Sequence, residues 1–162
     1  MKQENESLDR FLIILDWLMH LQERHADVVK YGLVHICFHD RLALGAAYGA
    51  RDAAMMLADV LQQLQKSFRN TDIAARDGSD FWILVPYTSP QTVLEKVERL
   101  VEIASEAGLN IVERDVAVFS LPDPRVLEKM RDFASVQDFL AFLKRNREIT
   151  FHWSQQQSSG AP

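Results

Sequence analysis

The sequence predicts an α/β (α+β) domain: a mixed central sheet of about five strands flanked by helices, with an extra helix at the N-terminus. Three observations point there. Apolar residues switch along the chain between helical spacing and short β-rich runs, and an Asp-Gly pair stands between two of those runs. The third is composition. The 162 residues are 48% hydrophobic and 25% charged, with 6 Gly and 5 Pro, which excludes a collagenous or wholly disordered chain and suits one compact domain. A net charge of −5 is the wrong sign for an electrostatic grip on nucleic acid or anionic lipid. The single cysteine, Cys37, excludes an internal disulfide framework and fits a reducing compartment.

Leu8, Phe11, Leu12, Leu15 and Leu18 recur at helical spacing, so the spacing predicts a helix from about Glu6 to Arg24. Ile13, Ile14, Trp17 and Met19 widen its apolar face until it is apolar nearly all round. Such a helix is either an ordinary buried one or one covered on its second side by a partner subunit or a neighbouring helix. The polar N-terminus has no basic leader, and Asp16 interrupts a run far shorter than the ~20 residues of a membrane span. The expectation is a cytoplasmic protein without membrane insertion.

Leu33 to Phe38 reads as a buried first strand. Ala47 to about Phe68 turns helical, with Leu57, Leu61, Leu64 and Phe68 on one face. Asp72–Ala75 and Phe81–Val85 then flank Asp77-Gly78, an antiparallel hairpin signal because glycine supplies the positive φ of the turn. Ser89-Pro90 opens the next helix, Val93, Val97, Leu100 and Ala104 form its buried stripe, and Gly108 stops it. Ile111 to Leu121 holds another strand, ended by Pro122 and Pro124. A short helical segment around Arg125–Phe133 precedes a helix capped by Ser135, and Glu148–Trp153 reads as an edge strand. This divides the chain into a helix at 1–26, a domain at 27–153 and a disordered tail at 154–162.

The stretch Phe68-Arg69-Asn70-Thr71-Asp72-Ile73-Ala74-Ala75-Arg76-Asp77-Gly78-Ser79-Asp80-Phe81, followed by WILVP, resembles the segment around the signature hairpin of GGDEF domains. Those are bacterial diguanylate cyclases, with an Arg-x-x-Asp, a short strand ending in Arg, and Gly-Gly-Asp/Glu-Glu-Phe before an apolar strand. Tyr48-Gly49 and the first strand align at near-constant spacing, so the resemblance spans roughly residues 33–121.

The resemblance implies a catalytic site in which one carboxylate at the end of the first strand and one in the signature hold magnesium. Here the first-strand positions fall on Cys37 and His39, the guanine-reading pair on Gly45 and Ala46, and a Gly-Asp pair on Ala53 and Ala54. The signature is reduced to Asp77, Gly78, Ser79, Asp80 and Phe81, with Ser79 in place of the metal carboxylate. Asp40 is nearby, but aligning it needs about three residues deleted before Gly49. Removing one preorganised charge-stabilising group costs roughly 3–4 kcal/mol of barrier, so the expectation is a degenerate, catalytically inactive domain with no metal and no cofactor.

The Arg-x-x-Asp survives as Arg69 and Asp72. By resemblance this is a cyclic di-GMP site, with Arg76 as second cation: Arg forks onto guanine or phosphate and Asp accepts from the guanine edge. Arg24-His25-Ala26-Asp27 repeats the pattern elsewhere, so only the position before the hairpin gives it weight. The alternative is a basic helix end and a turn-capping acid. Lys144, Arg145 and Arg147 fall where active members keep basic residues toward the triphosphate, or form a solvated helix end. The five histidines, His35 among them, are too scattered for a metal motif, and Cys37 reads as a buried strand thiol. Three functions follow in order: a receptor for cyclic di-GMP that regulates a partner, a nucleotide-independent protein-interaction module using the N-terminal helix or the remodelled active-site face, and, distantly, an active cyclase.

Overall fold

The computed structural model describes residues 2–25, 29–37, 49–67, 72–78, 80–86, 89–106 and 116–147. Helix α1 (Lys2–Arg24) leads into β1 (Tyr31–Cys37), then α2 (Ala50–Ser67), β2 (Ile73–Asp77), β3 (Asp80–Pro86) and α3 (Pro90–Glu106). β4 (Val116–Leu121), the short α4 (Pro124–Lys129) with a 3₁₀ turn over Met130–Asp132, and α5 (Val136–Arg145) complete it. Phe38, Ala47, Phe68, Gly108, the expected strand at Glu148–Trp153 and the tail at 154–162 lie outside the described residues.

The sheet order is β2-β3-β1-β4. All three described pairings are antiparallel, where a mixed sheet of about five strands was expected. The reason lies in the crossovers. α2 links β1 to β2, and α3 links β3 to β4, but each crossover skips one strand, so strands running the same way never become neighbours. Two interleaved split β-α-β units result.

β1 is hydrogen-bonded on both edges and covered on both faces. Tyr31 and Leu33 point into a core shared with Phe11 and Leu15 of α1, Phe119 of β4 and Phe139 of α5. Val34 and Ile36 point the other way, onto Leu57, Leu61 and Leu64 of α2 and Val97 and Leu100 of α3. Double coverage explains why this strand reads as a nearly continuous apolar run rather than an alternation. The same holds for β3, with Trp82 and Leu84 in the first core and Phe81, Ile83 and Val85 in the second. The N-terminal helix therefore shares its core with the rest of the described chain.

Local signals set the boundaries. Gly78 adopts φ +62 at the tip of the hairpin, where Asp77 pairs with Asp80, so the loop is one step later than the Asp-Gly pair itself. Gly49, at φ +84, precedes α2, and its carbonyl accepts from Ala53 N–H at 3.0 Å. Ser89 Oγ accepts from Thr92 N–H at 3.3 Å, and Ser135 Oγ from Asp138 N–H at 3.2 Å, the capping bonds expected of both serines. The expected 125–133 helix splits into α4, capped by Asp123, and its 3₁₀ continuation.

α1 departs from the all-round apolar helix read from sequence. Phe11, Leu15, Leu18 and Met19 are buried, whereas Glu6, Asp9, Arg10, His20 and Arg24 keep the opposite side polar, and only Ile13 and Trp17 are strongly exposed apolar residues on it. No helix among the described residues is long and apolar enough to cross a membrane.

Phe119 is fully buried between α1, α5 and the sheet. Phe119→Ala is expected to lower the free energy of unfolding by about 3–5 kcal/mol in urea titrations, the range for a truncated core aromatic.

Candidate functional site

The end of the sheet that carries the hairpin turn gathers five polar side chains. Antiparallel register sets Cys37 at the end of β1 opposite Asp80 at the start of β3, and His35 opposite Trp82. Residues two apart on a strand share a face, so His35, Cys37, Asp80 and Trp82 all look to the side of the sheet covered by α1 and α5. The His35 and Trp82 rings lie 4.3 Å apart between centroids.

His35 Nε2 and Asp80 Oδ1 are 2.9 Å apart, and Lys144 Nζ donates to Asp80 Oδ2 at 2.7 Å. Arg147 Nη1 stands 3.2 Å from His35 Nδ1. A guanidinium can only donate, so Nδ1 is the acceptor and the proton sits on Nε2, which donates to Asp80. The imidazole is thereby held neutral between a cation and an anion.

The electrostatics agree with this arrangement. Burial, the largest influence, pushes His35 below its ordinary 6.5, and Arg147 and Lys144 push the same way against the pull of Asp80. For Asp80, burial acts upward, but hydrogen bonds from His35 and Lys144 and their fields outweigh it and hold the carboxyl at about 2. The Cys37 thiol is raised by burial first and then by the charge and hydrogen bond of Asp80. It is a thiol donor to a carboxylate, the opposite of an activated nucleophile.

Of the residues singled out in the sequence, Asp80, Lys144 and Arg147 come together here, and Arg145 does not join them among the described contacts. Asp77 and Gly78 are exposed at the turn, and Phe81 is buried on the other face. Asp72 lies at the far end of the hairpin, where Lys96 of α3 bonds it at 2.9 Å and its side chain is only 4% exposed. Arg76 Nη1 donates to the carbonyl of Gly78 at 3.1 Å. Ala53 is buried and Ala54 exposed on α2. Arg69, Ser79, His39, Asp40, Gly45, Ala46 and Tyr48 lie outside the described residues.

Sequence reasoning set His35 among the scattered histidines. Its signal was present: a polar residue inside a strand with two covered faces, two positions from Cys37, needs a partner. Lys96 had no such signal, since its charge falls on an ordinary amphipathic helix.

No family model matches the chain, and no curated protein matches it. Solved structures do. The GGDEF domain of DgcB from Caulobacter crescentus, solved in complex with c-di-GMP, superposes with a TM-score of 0.61 at 13% identity, over 94% of this chain and 84% of that one. The fold is that of the GGDEF domains. The FimX GGDEF domain from Pseudomonas aeruginosa gives 0.60 at 18% identity, over 88% of this chain and 86% of that one. Diguanylate cyclase SiaD of the same organism, solved with its activator SiaC, gives 0.58 at 17% identity over 83% of this chain. The chain spans about half the length of SiaD, 54%. The Cys37–Asp80 juxtaposition stands where β1 meets the turn of the β2–β3 hairpin.

The depressed Asp80 value, set against an ordinary 3.8, gives stability that is complete above about pH 4 and lost as pH falls through about 2. The depressed His35 value adds a loss that begins below its ordinary 6.5, because the unfolded imidazole takes a proton that the folded one refuses. Urea unfolding between pH 8 and 3 is expected to show stability falling from about pH 6.5 downward. His35→Gln is expected to flatten the part between pH 6.5 and 4. Asp80→Asn is expected to lose about 1–2 kcal/mol at pH 7.

Proposed function

We propose that this domain acts in cyclic di-GMP signalling by binding and not by turnover. The observation that carries the reading is the state of Asp80. Both of its oxygens are engaged, one by Lys144 and one by His35, and a thiol stands opposite it where a metal-holding carboxylate is required. Magnesium takes hard oxygen ligands, and a carboxylate already neutralised by an ammonium at 2.7 Å, facing Cys37, does not fit it.

The ligand reading places cyclic di-GMP at Arg69, Asp72 and Arg76. It is supported by the position of Asp72 beside the hairpin and by the likeness to a GGDEF domain solved with that nucleotide. For the guanine edge to reach it, Asp72 must exchange its bond to Lys96 for bonds to the base. A second reading, a protein-interaction module, is favoured by that buried ion pair and by Ile13 and Trp17, which leave an apolar spot on the solvent side of α1.

Incubation with GTP and Mg²⁺ is expected to yield no cyclic di-GMP by chromatography, and magnesium-dependent turnover would refute the binding-only reading. Titration calorimetry separates the two ligand classes. Under the receptor reading, cyclic di-GMP binds, Arg69→Ala and Asp72→Ala abolish the heat, and Lys96→Gln tightens binding several-fold by releasing the acceptor. Silence toward both cyclic di-GMP and GTP leaves the interaction module.

A further inference from the structure

We infer that the solvent face of α1 is a dimerisation surface that pairs antiparallel with the same helix of a second copy. This rests on the interaction-module reading and adds the partner and its register. Six exposed residues, Glu6, Arg10, Ile13, Trp17, His20 and Arg24, follow one another at alternating steps of four and three. That spacing lays them in one straight heptad seam along a 23-residue helix. Only the middle of the seam is apolar, with Ile13 69% and Trp17 61% exposed. Its ends are charged, and among the described residues no ion pair engages Glu6, Arg10 or Arg24.

Orientation decides what the seam meets. Parallel copies would set every residue against its own twin, Glu6 on Glu6, Arg10 on Arg10 and Arg24 on Arg24, three like-charge layers around the apolar centre. Antiparallel copies related by a two-fold axis level with Leu15 match the seam differently. Ile13 meets the second copy's Trp17, Arg10 meets its His20, and Glu6 meets its Arg24. Both apolar contacts fall together at the axis, and an acid–base pair closes each end. On the acidic flank of the seam, Arg131 of the same chain stands 3.4 Å from Glu23, and the His20 ring is held by the Asp16 carbonyl at 2.8 Å. Paired this way, each copy covers the two large apolar residues that α1 otherwise gives to water, and the same patch serves both partners, as a two-fold interface requires.

Sedimentation equilibrium of the full chain tests this, from micromolar to several hundred micromolar, with circular dichroism as the check on folding. The wild type is expected to dimerise with concentration, and Trp17→Ala to weaken association at least tenfold with an unchanged spectrum. Glu6→Arg and Arg24→Glu should each weaken it by about tenfold, since each reverses two exposed pairs per dimer. The double exchange Glu6→Arg/Arg24→Glu should restore the wild-type value, because the opposed charges are again unlike. A monomer at all concentrations overturns the self-pairing and leaves the interaction-module reading with a different protein as partner. A dimer indifferent to Trp17→Ala removes α1 as the association surface and overturns both. A dimer that responds to Trp17→Ala but not to the charge exchange overturns the antiparallel register alone.

Discussion

Strand β1 has no free edge and no free face, and most of the molecule is arranged by that constraint. β3 and β4 take its two edges, α1 and α5 press on one side and α2 and α3 on the other. A slip of one residue in its register would carry His35 out of the polar corner and into the core lined by Leu57, Leu61 and Leu64. Two packed cores therefore hold the strand in one alignment, and that alignment brings Cys37 and Asp80 face to face. Precision at the corner comes from hydrophobic packing some distance from it.

The corner itself obeys the rule that a charge taken out of water needs partners. Asp80 is only 15% exposed, and its compensation arrives from two directions, His35 across the sheet and Lys144 from the last turn of α5. The pair with Lys144 joins residues 64 positions apart, so the end of α5 is tied to the start of the hairpin strand. Arg147 then leans on the far nitrogen of the same imidazole. The GGDEF fold thus carries here a continuous polar network that includes ammonium, carboxylate, imidazole and guanidinium.

The same chain treats its two other polar features differently. Asp72 is locked to Lys96 in a buried pair that joins the hairpin to α3, which makes the hairpin's far end as firmly placed as its near end. α1, in contrast, spends one face on the core and leaves the other outward with Ile13 and Trp17 on it.

Much of the fold was legible. The Ser89 and Ser135 caps, the buried stripe of α3, the hairpin at Gly78 and the place of the N-terminal helix are local properties, set by spacing, capping and backbone preference within a few residues. The likeness to GGDEF domains was legible from the ordered residues around that hairpin. The parallel or antiparallel character of the sheet was not, because which strands become neighbours depends on crossovers that skip a strand. Nor were the roles of His35 and Lys96, or the bonding of Lys144 to Asp80. By itself the sequence determined which segments form helices and strands and which acids the hairpin carries. Only the tertiary structure decided which cation compensates which acid, because those partners are chosen by proximity between distant segments, and proximity follows from how the two cores pack.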